Sequence, residues 1–454
     1  MTPPVVEKPG RTGRLLTNFS WLAGGRTTGA LMALAATALA ARALGAAEFG
    51  LVVLIHAAAL MIRQLCNVKT SEAIIRYGVP LAEEERIGEL RGFIIRMAKI
   101  DVVAGAIAAL VGAVLLFGFS QLFELPADLK APAAVYVLVL VVSVTGTARG
   151  TLRLLDRFGA LSAQLTIGPA LKLAGVGALL LTPYSGNTAL YVLVWGGSYL
   201  IEHAFSWWRA YRSFVGYYAG AATEAPVVDR REVRGFLYTV YWQSTLDAAP
   251  KQAATLLAGS LLGPAGAALF AFARELAEVL AKPVVLLRQV VFPDLARLWR
   301  NDVPRFVRVT WKTGAITAAV GFSVVAFSVF VAEPLLIALA GGDFSAAAGL
   351  LTLLLLAASV ELAGAAFRPA SYVMGRARAL LNVQIVATVV YLTAFIGLIE
   401  LYGLSGIGFA AILSGIVTFL GAGYIVQRGC RERIRSDAYA PAGNDLGADA
   451  GTGA

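Results

Sequence analysis

The sequence predicts an all-α polytopic membrane protein of about 12 transmembrane helices, arranged as two six-helix lobes around a central cavity. Three observations predict it. Of 454 residues, 58% are hydrophobic and only 15% charged, with mean hydropathy +0.73, and apolar runs of about 20 residues recur along the chain. The basic residues gather in every second connection between those runs. Two well-separated stretches repeat at nearly the same shift.

The apolar runs place spans at about 18 to 43, 48 to 67, 93 to 118, 131 to 149, 160 to 182, 188 to 209, 236 to 262, 266 to 287, 310 to 332, 346 to 367, 380 to 400 and 406 to 427. The first run contains Ala38-Leu39-Ala40, a pattern that signal peptidases read, but it exceeds the usual signal core of about 7 to 15 residues and is taken as a span. The resulting domains are a cytoplasmic N-terminal segment (1–17), an N-lobe (18–215), a cytoplasmic linker (216–235), a C-lobe (236–428) and a cytoplasmic tail (429–454). That tail is rich in Ala, Gly and Asp, which predicts disorder.

Charge supplies the topology. Thirty-one of the 38 basic residues fall before the first span, after the last, or in alternate connections, while the opposite connections hold Arg42 and Lys130. The positive-inside rule then puts both termini in the cytoplasm. The net charge of +10 is thereby a topological signal, and nucleic acid is not an expected partner. Opposite-side connections such as 182–187, 263–265 and 402–405 are too short for a domain. The basic-side connections 69–93 and 212–235 have room for one short amphipathic helix each, the first from LAEEERIGELRGF, and read as solvated connectors on anionic lipid.

The repeat pairs ARALGAAEFG with AGSLLGPAGA, setting Leu44-Gly45 against Leu262-Gly263 at a shift of 218. It also pairs Arg149 with Arg368, Arg157 with Arg376 and Leu161 with Leu380 at a shift of 219. Six spans per repeat is an even number, so both halves enter from one face and an axis along the membrane normal relates them.

Five basic residues lie inside the spans: Arg26, Lys172, Lys251, Arg274 and Lys282. Gln243, Asp247 and Lys251 recur every four residues on one segment, as do Arg274, Glu278 and Lys282 on the next, so each set forms a stripe on one helix face. An ionised side chain at mid-membrane costs at least ~2.5 kcal/mol, so these groups must pair or line a wet cavity. Asp247 with Lys251, and Arg274 with Glu278, also read as i,i+4 pairs that only neutralise each other. Trp195, Trp207, Trp208, Trp299 and Trp311 lie near span ends and read as belt residues, whereas Trp242 sits beside the polar stripe. Pro169, Pro250 and Pro283 fall inside spans, where each can seed a bend.

Several chemistries lack their residues. There is no Gly-rich phosphate loop with Lys-Ser/Thr and no His-Glu-x-x-His pattern. Cys66, Cys430, His56 and His203 are too few and too scattered for a disulfide or a metal centre. The expectation is a transporter, with neither enzymatic activity nor a resident cofactor.

The stretches LAARALGAAEFG, RYG at 76–78, RGTLRLLDRFGAL and LLGPAGAALFAFARELAEVLAKPVVLLRQVVFPDLARL resemble the polysaccharide transporter family of the multidrug/oligosaccharidyl-lipid/polysaccharide exporter superfamily. Within it the chain is similar to bacterial O-antigen and exopolysaccharide repeat-unit flippases. The resemblance covers essentially all twelve spans; its Gly, Pro and Arg patterns are specific to the family and weak for the substrate. It implies a multi-pass protein of the bacterial inner membrane that turns a polyprenyl-diphosphate-linked oligosaccharide from the cytoplasmic to the periplasmic leaflet by alternating access, in surface polysaccharide biosynthesis. For such a substrate Arg26, Lys251 and Arg274 are the diphosphate candidates, since guanidinium offers a rigid fork and ammonium a point charge. Asp247 and Glu278 are candidates for holding a coupling proton or sodium ion, and Trp242 and Gln243 for touching sugar. Expected partners are the lipid-linked oligosaccharide, membrane lipids, and the polymerase and glycosyltransferases of the same pathway. An ion-coupled exporter of small molecules on the same fold, and a membrane glycosyltransferase or polymerase acting on the same lipid, are the alternatives.

Overall fold

A computed structural model describes the backbone of residues 11–118, 126–218, 220, 222–224 and 228–439, and the side chains among them except those of 11–19, 118, 246–249, 279–294, 296 and 436–439. Among the described residues every regular element is helical. The α-helices are α1 (Arg11–Cys66), α2 (Thr70–Glu83), α3 (Ile87–Ala113), α4 (Ala127–Ala133), α5 (Val135–Ser143), α6 (Gly146–Leu154), α7 (Phe158–Leu180) and α8 (Thr188–Tyr217). They continue with α9 (Arg230–Asn301), α10 (Val303–Ala340), α11 (Ala348–Ala363), α12 (Phe367–Val373), α13 (Ala377–Tyr402) and α14 (Leu404–Tyr439).

Eight helices among the described residues are long and apolar enough to cross a membrane, and the bent combination of α4, α5 and α6 makes a ninth. Thr188–Tyr217 falls outside that set because Ser198, Glu202 and His203 interrupt its apolar run, yet it is a continuous helix of 30 residues. Two of the helices, α1 and α9, each carry a break that divides them in two. With those breaks counted, every expected span overlaps helix among the described residues, though that of 131 to 149 is divided among α4, α5 and α6 and that of 346 to 367 ends in α12.

The breaks sit at the glycines that the repeat aligns. Gly45 has φ 74 and ψ 173, and Gly263 has φ 75 and ψ 178. This is a region of backbone space that side chains essentially forbid, so only glycine enters it without strain. The expected outer connection 263–265 is therefore no loop, because the chain turns at one residue and resumes as helix. The second pair of anchors matches as well: two residues past the ends of α6 and α12 stand residues of positive φ, Asp156 (φ 53) and Gly375 (φ 72), and the aligned Arg157 and Arg376 precede α7 and α13.

The chain divides into two compact units, one of residues 1–275 and 333–347, the other of 276–332 and 348–454. In the first, α2 lays Ile74, Tyr77 and Leu81 against Leu90, Phe93, Ile94 and Met97 of α3 and against Val233 and Leu237 of α9. In the second, Leu295 of α9, Val303 and Phe306 of α10, Phe367 of α12, Leu380 of α13 and Val426 of α14 form the core. Thr317 also donates to the Leu362 carbonyl at 2.6 Å, and Ser414 to that of Ala387 at 3.0 Å. Such interhelical hydrogen bonds and small-residue contacts stand in for a hydrophobic driving force between spans, since lipid tails are as apolar as the side chains.

Three expectations need correction. The amphipathic helix of the connection 69–93 lies earlier, as α2, and LAEEERIGELRGF is where it stops. Glu85 turns left-handed (φ 57), and Arg86 bridges Glu84 at 2.9 Å and Glu89 at 2.8 Å, which starts α3 at Ile87. Nor is that connection a solvated one, because α2 buries Thr70, Ala73, Ile74, Tyr77, Gly78 and Leu81. Trp195 is not a belt residue: it is 4% exposed, edge-on to Phe49 at 6.1 Å. At the chain's end α14 continues to Tyr439, and 440–454 lie outside the described residues.

The glycine breaks give a direct test. Gly263→Ala forces a Cβ into the forbidden region and should cost about 1–3 kcal/mol. Gly177→Ala, where an added Cβ meets nothing within 4 Å, serves as control. Thermal unfolding in one detergent should show a clear fall in midpoint for the first and little change for the second.

Candidate functional site: polar groups inside the spans

The Gly263 break folds α9 back on itself, so residues far apart in sequence face each other. Arg274, beyond the break, donates through Nη1 to the Lys251 carbonyl at 2.6 Å and to Thr255 Oγ1 at 2.9 Å, both before it. Its guanidinium carbon also lies 5.2 Å from the centre of the Phe270 ring. One nitrogen thus staples the hairpin. Among the described residues Nε and Nη2 make no hydrogen bond and Arg274 makes no ion pair, so two sides of the fork remain to meet an anion.

Of the three diphosphate candidates, the structure brings Lys251 and Arg274 together, through the lysine's carbonyl. Lys251 is exposed and Arg274 half-buried. Arg26 lies exposed on the first half of α1 and, among the described side chains, shares no hydrogen bond or ion pair with Lys251 or Arg274. Trp242 is 46% exposed and stacks edge-on with Tyr241 at 5.4 Å and Tyr238 at 6.2 Å, an aromatic surface beside exposed Gln243. Glu278 is exposed on α9. The side chains of Asp247 and Lys282 lie outside the described residues.

A second set of polar groups is buried in the first unit. Lys172 of α7 is 7% exposed and holds its ammonium 4.8 Å from the Trp195 ring and 5.2 Å from that of Tyr199, both on α8. Residues 195, 199 and 202 recur on one helix face, so Glu202 follows these rings toward α7. Gly168, one turn before Lys172, leaves the space it fills: a Cβ there would collide with the Glu202 carboxylate. Beside them, His203 Nδ1 is 3.9 Å from Glu202 Oε1, and neither ring nitrogen of His203 has a hydrogen-bond partner among the described residues. The Tyr199 ring lies 4.6 Å from His56, whose Nδ1 is 3.2 Å from Tyr136 Oη. Arg63, His56, Tyr136, Tyr199 and His203 share a cavity of about 10 Å³, room for one water. The rings and the carboxylate make a buried cation tolerable here.

The third polar group is Asp101 of α3, 1% exposed. Its carboxylate accepts from Thr70 Oγ1 at 2.8 Å and from the Thr147 amide at 2.5 Å. Thr147 is the second residue of α6, which leaves α5 at a 43° bend and has no capping side chain of its own. Its amide is one of the orphan donors of a helix start, and an anion there complements the helix dipole. The charge reading of the sequence follows the basic residues and passes Asp101 over. An acid eight residues into an expected span is a signal as plain as Arg274, but its partners, Thr70 and Thr147, are invisible without the fold.

No protein-family model matches the chain. The inner membrane protein YghQ of Escherichia coli (strain K12) is 26% identical over 327 residues, covering 71% of this chain and 91% of that protein. A multidrug resistance MATE family transporter of the MOP superfamily, in an inward-facing conformation, matches with TM-score 0.63 and 16% identity over 94% of this chain and 99% of its own. The lipid II flippase MurJ, in an inward closed conformation, matches with TM-score 0.66 and 10% identity over 94% of both chains.

Removing the carboxylate charge at the bend should weaken the first unit. Asp101→Asn is expected to lose about 1–3 kcal/mol of stability, as one charge-assisted acceptor of two donors is lost, whereas Glu84→Gln, in an exposed ion pair, should change little. Paired melting curves decide it; equal midpoints would deny Asp101 its capping role. From the spans, the two glycine breaks and these structural likenesses together, the chain has an all-helical fold like that of the MATE family transporter and of the lipid II flippase MurJ.

Proposed function

We propose that the protein is a flippase of the bacterial inner membrane, moving polyprenyl-diphosphate-linked oligosaccharide repeat units from the cytoplasmic to the periplasmic leaflet by alternating access. In this reading residues 18–215 and 236–428 are the two lobes, 216–235 links them, and both termini are cytoplasmic. The observation that carries it is Arg274: a guanidinium inside an expected span, fixed through one nitrogen to Lys251 and Thr255, with no further hydrogen bond from its other donors among the described residues. A rigid, pre-oriented fork is the group that binds phosphate oxygens best. The transporter fold, shared with a protein described as a lipid II flippase, supports the same reading, as does the inner-membrane description of YghQ. Lys251 and Arg26 supply further positive charge to the headgroup, Trp242 with Tyr241 and Tyr238 an aromatic face for sugar beside Gln243, and Asp247 and Glu278 the coupling of H+ or Na+. The protein works as a transporter, not an enzyme, alongside the polymerase and glycosyltransferases that make and use the lipid-linked unit.

An ion-coupled small-molecule exporter is the second reading. The buried Lys172, Glu202 and His203 favour it, because such a set can hold or pass a proton without any lipid headgroup. A flippase and a drug exporter separate cleanly in a deletion strain: the first loses surface polysaccharide and accumulates the lipid-linked unit, the second changes drug susceptibility alone.

Complementation of that strain tests the site. Arg274→Ala should cut polysaccharide display at least about tenfold with expression retained, the loss expected when a charged hydrogen-bonding group goes. Thr255→Val removes one staple partner but leaves the fork, and should retain most activity. Wild-type display from Arg274→Ala, or equal loss from both variants, would remove Arg274 from the headgroup site.

A further inference from the structure

Within the first unit, the second half of α1, the middle of α3 and the start of α9 enclose a cleft of about 620 Å³. Its walls are apolar, and among the described residues three arginines, Arg96, Arg230 and Arg234, are its only charged lining groups. Along α3 the cleft extends from Arg96 to Ile107, and along α9 from Arg230 to Tyr241. Each stretch is twelve residues, eleven rises of about 1.5 Å or roughly 16 Å from end to end. On α3, inside the expected span, that length matches one leaflet, half of a hydrocarbon core about 30 Å thick, while Arg230 and Arg234 of α9 lie just before the span expected from 236, at headgroup level. The arginines mark the end nearest the connections that carry the basic excess, the side that the positive-inside bias assigns to the cytoplasm.

The three cations are not spent on the protein. Among the described residues none of them makes a hydrogen bond or an ion pair. The acids beside them on the chain are committed elsewhere: Glu232 accepts from Tyr77 Oη at 3.0 Å and lies 3.7 Å from Arg76, and Asp229 caps the Arg231 amide at 2.9 Å. A one-leaflet apolar slot under an unneutralised basic mouth is complementary to a single kind of molecule, an anionic lipid of ordinary chain length. An isoprenoid carrier long enough to span both leaflets would overrun it.

We propose that this cleft holds a resident anionic phospholipid of the inner leaflet, its phosphate between Arg96, Arg230 and Arg234 and one acyl chain against Ile100, Ala104 and Leu237. The site is separate from the cargo site at Arg274 and stands whatever the cargo is. It would tie α3 to α9 and make the first unit sensitive to the anionic lipid content of its leaflet.

Native mass spectrometry of the full-length protein in detergent, with equal amounts of palmitoyl-oleoyl phosphatidylglycerol and phosphatidylethanolamine, tests it. Wild type should retain phosphatidylglycerol over phosphatidylethanolamine by about tenfold or more, given three arginines at the interface. The R96Q/R230Q/R234Q variant should bring that ratio close to one. Arg230→Gln alone, at the exposed first residue of α9 and harmless to the fold, should lower it several-fold. Ile107→Trp, which fills the slot, should reduce retention of both lipids. Equal retention by wild type, a ratio unmoved by the glutamine variants, or displacement of phosphatidylglycerol by an equal amount of undecaprenyl phosphate would each overturn the proposal.

Discussion

Hydrocarbon solvates neither a backbone amide nor a charge, so every interruption of a membrane helix has to be satisfied from within the protein. The chain answers that constraint by a different means at each interruption. At Gly45 and Gly263 the helix turns at one residue, in a conformation reserved for glycine, and resumes at once. At the bend between α5 and α6 the freed amide of Thr147 is taken by Asp101 from another helix. Lys172 is covered by two aromatic rings, and Arg274 is pinned to a carbonyl and a hydroxyl across the Gly263 turn. Two of the polar groups inside the spans, Asp101 and Arg274, thus act where helices break, whereas Lys172 lies in an unbroken helix.

This divides the intramembrane charges by function. Asp101 is consumed by structure, with its donors close and its surface shut off from solvent. Arg274 is only half consumed, and a fork held by one nitrogen is stiffer than a free arginine side chain while still having donors to offer. The Lys172, Glu202 and His203 group lies between these cases, buried yet with a histidine whose nitrogens have no hydrogen-bond partner among the described residues. A fold shared by drug transporters and a lipid flippase does not choose among cargoes by itself. The choice lies in side chains such as these.

Much of the architecture was legible in the sequence because it is written in local patterns. Apolar runs marked the helical membrane segments, eight or nine of which are long and apolar enough to cross among the described residues. The pairing of Leu44-Gly45 with Leu262-Gly263 marked corresponding joins between spans, and both prove to be single-residue breaks with nearly identical dihedral angles. The i,i+4 stripes picked out Arg274 and Lys251, which do meet, although through a carbonyl that no stripe could indicate. What stayed hidden depends on contacts distant in sequence: Asp101 with Thr147 is 46 residues apart and His56 with Tyr136 is 80. Trp195 was misplaced because nearness to a span end says nothing about which neighbour covers a ring. The position of α2 was misjudged because a dense run of glutamates looked like the polar face of a helix, when Glu85 in fact ends one.

The central claim is that a fixed, half-committed guanidinium in the membrane receives a phosphorylated lipid headgroup. Its most direct measurement is translocation by purified protein in proteoliposomes, using a fluorescent polyprenyl-diphosphate oligosaccharide and a neutral lipid bearing the same glycan. The account predicts protein-dependent movement of the diphosphate lipid and almost none of the neutral one. Equal movement of both, or none above empty vesicles, would contradict it.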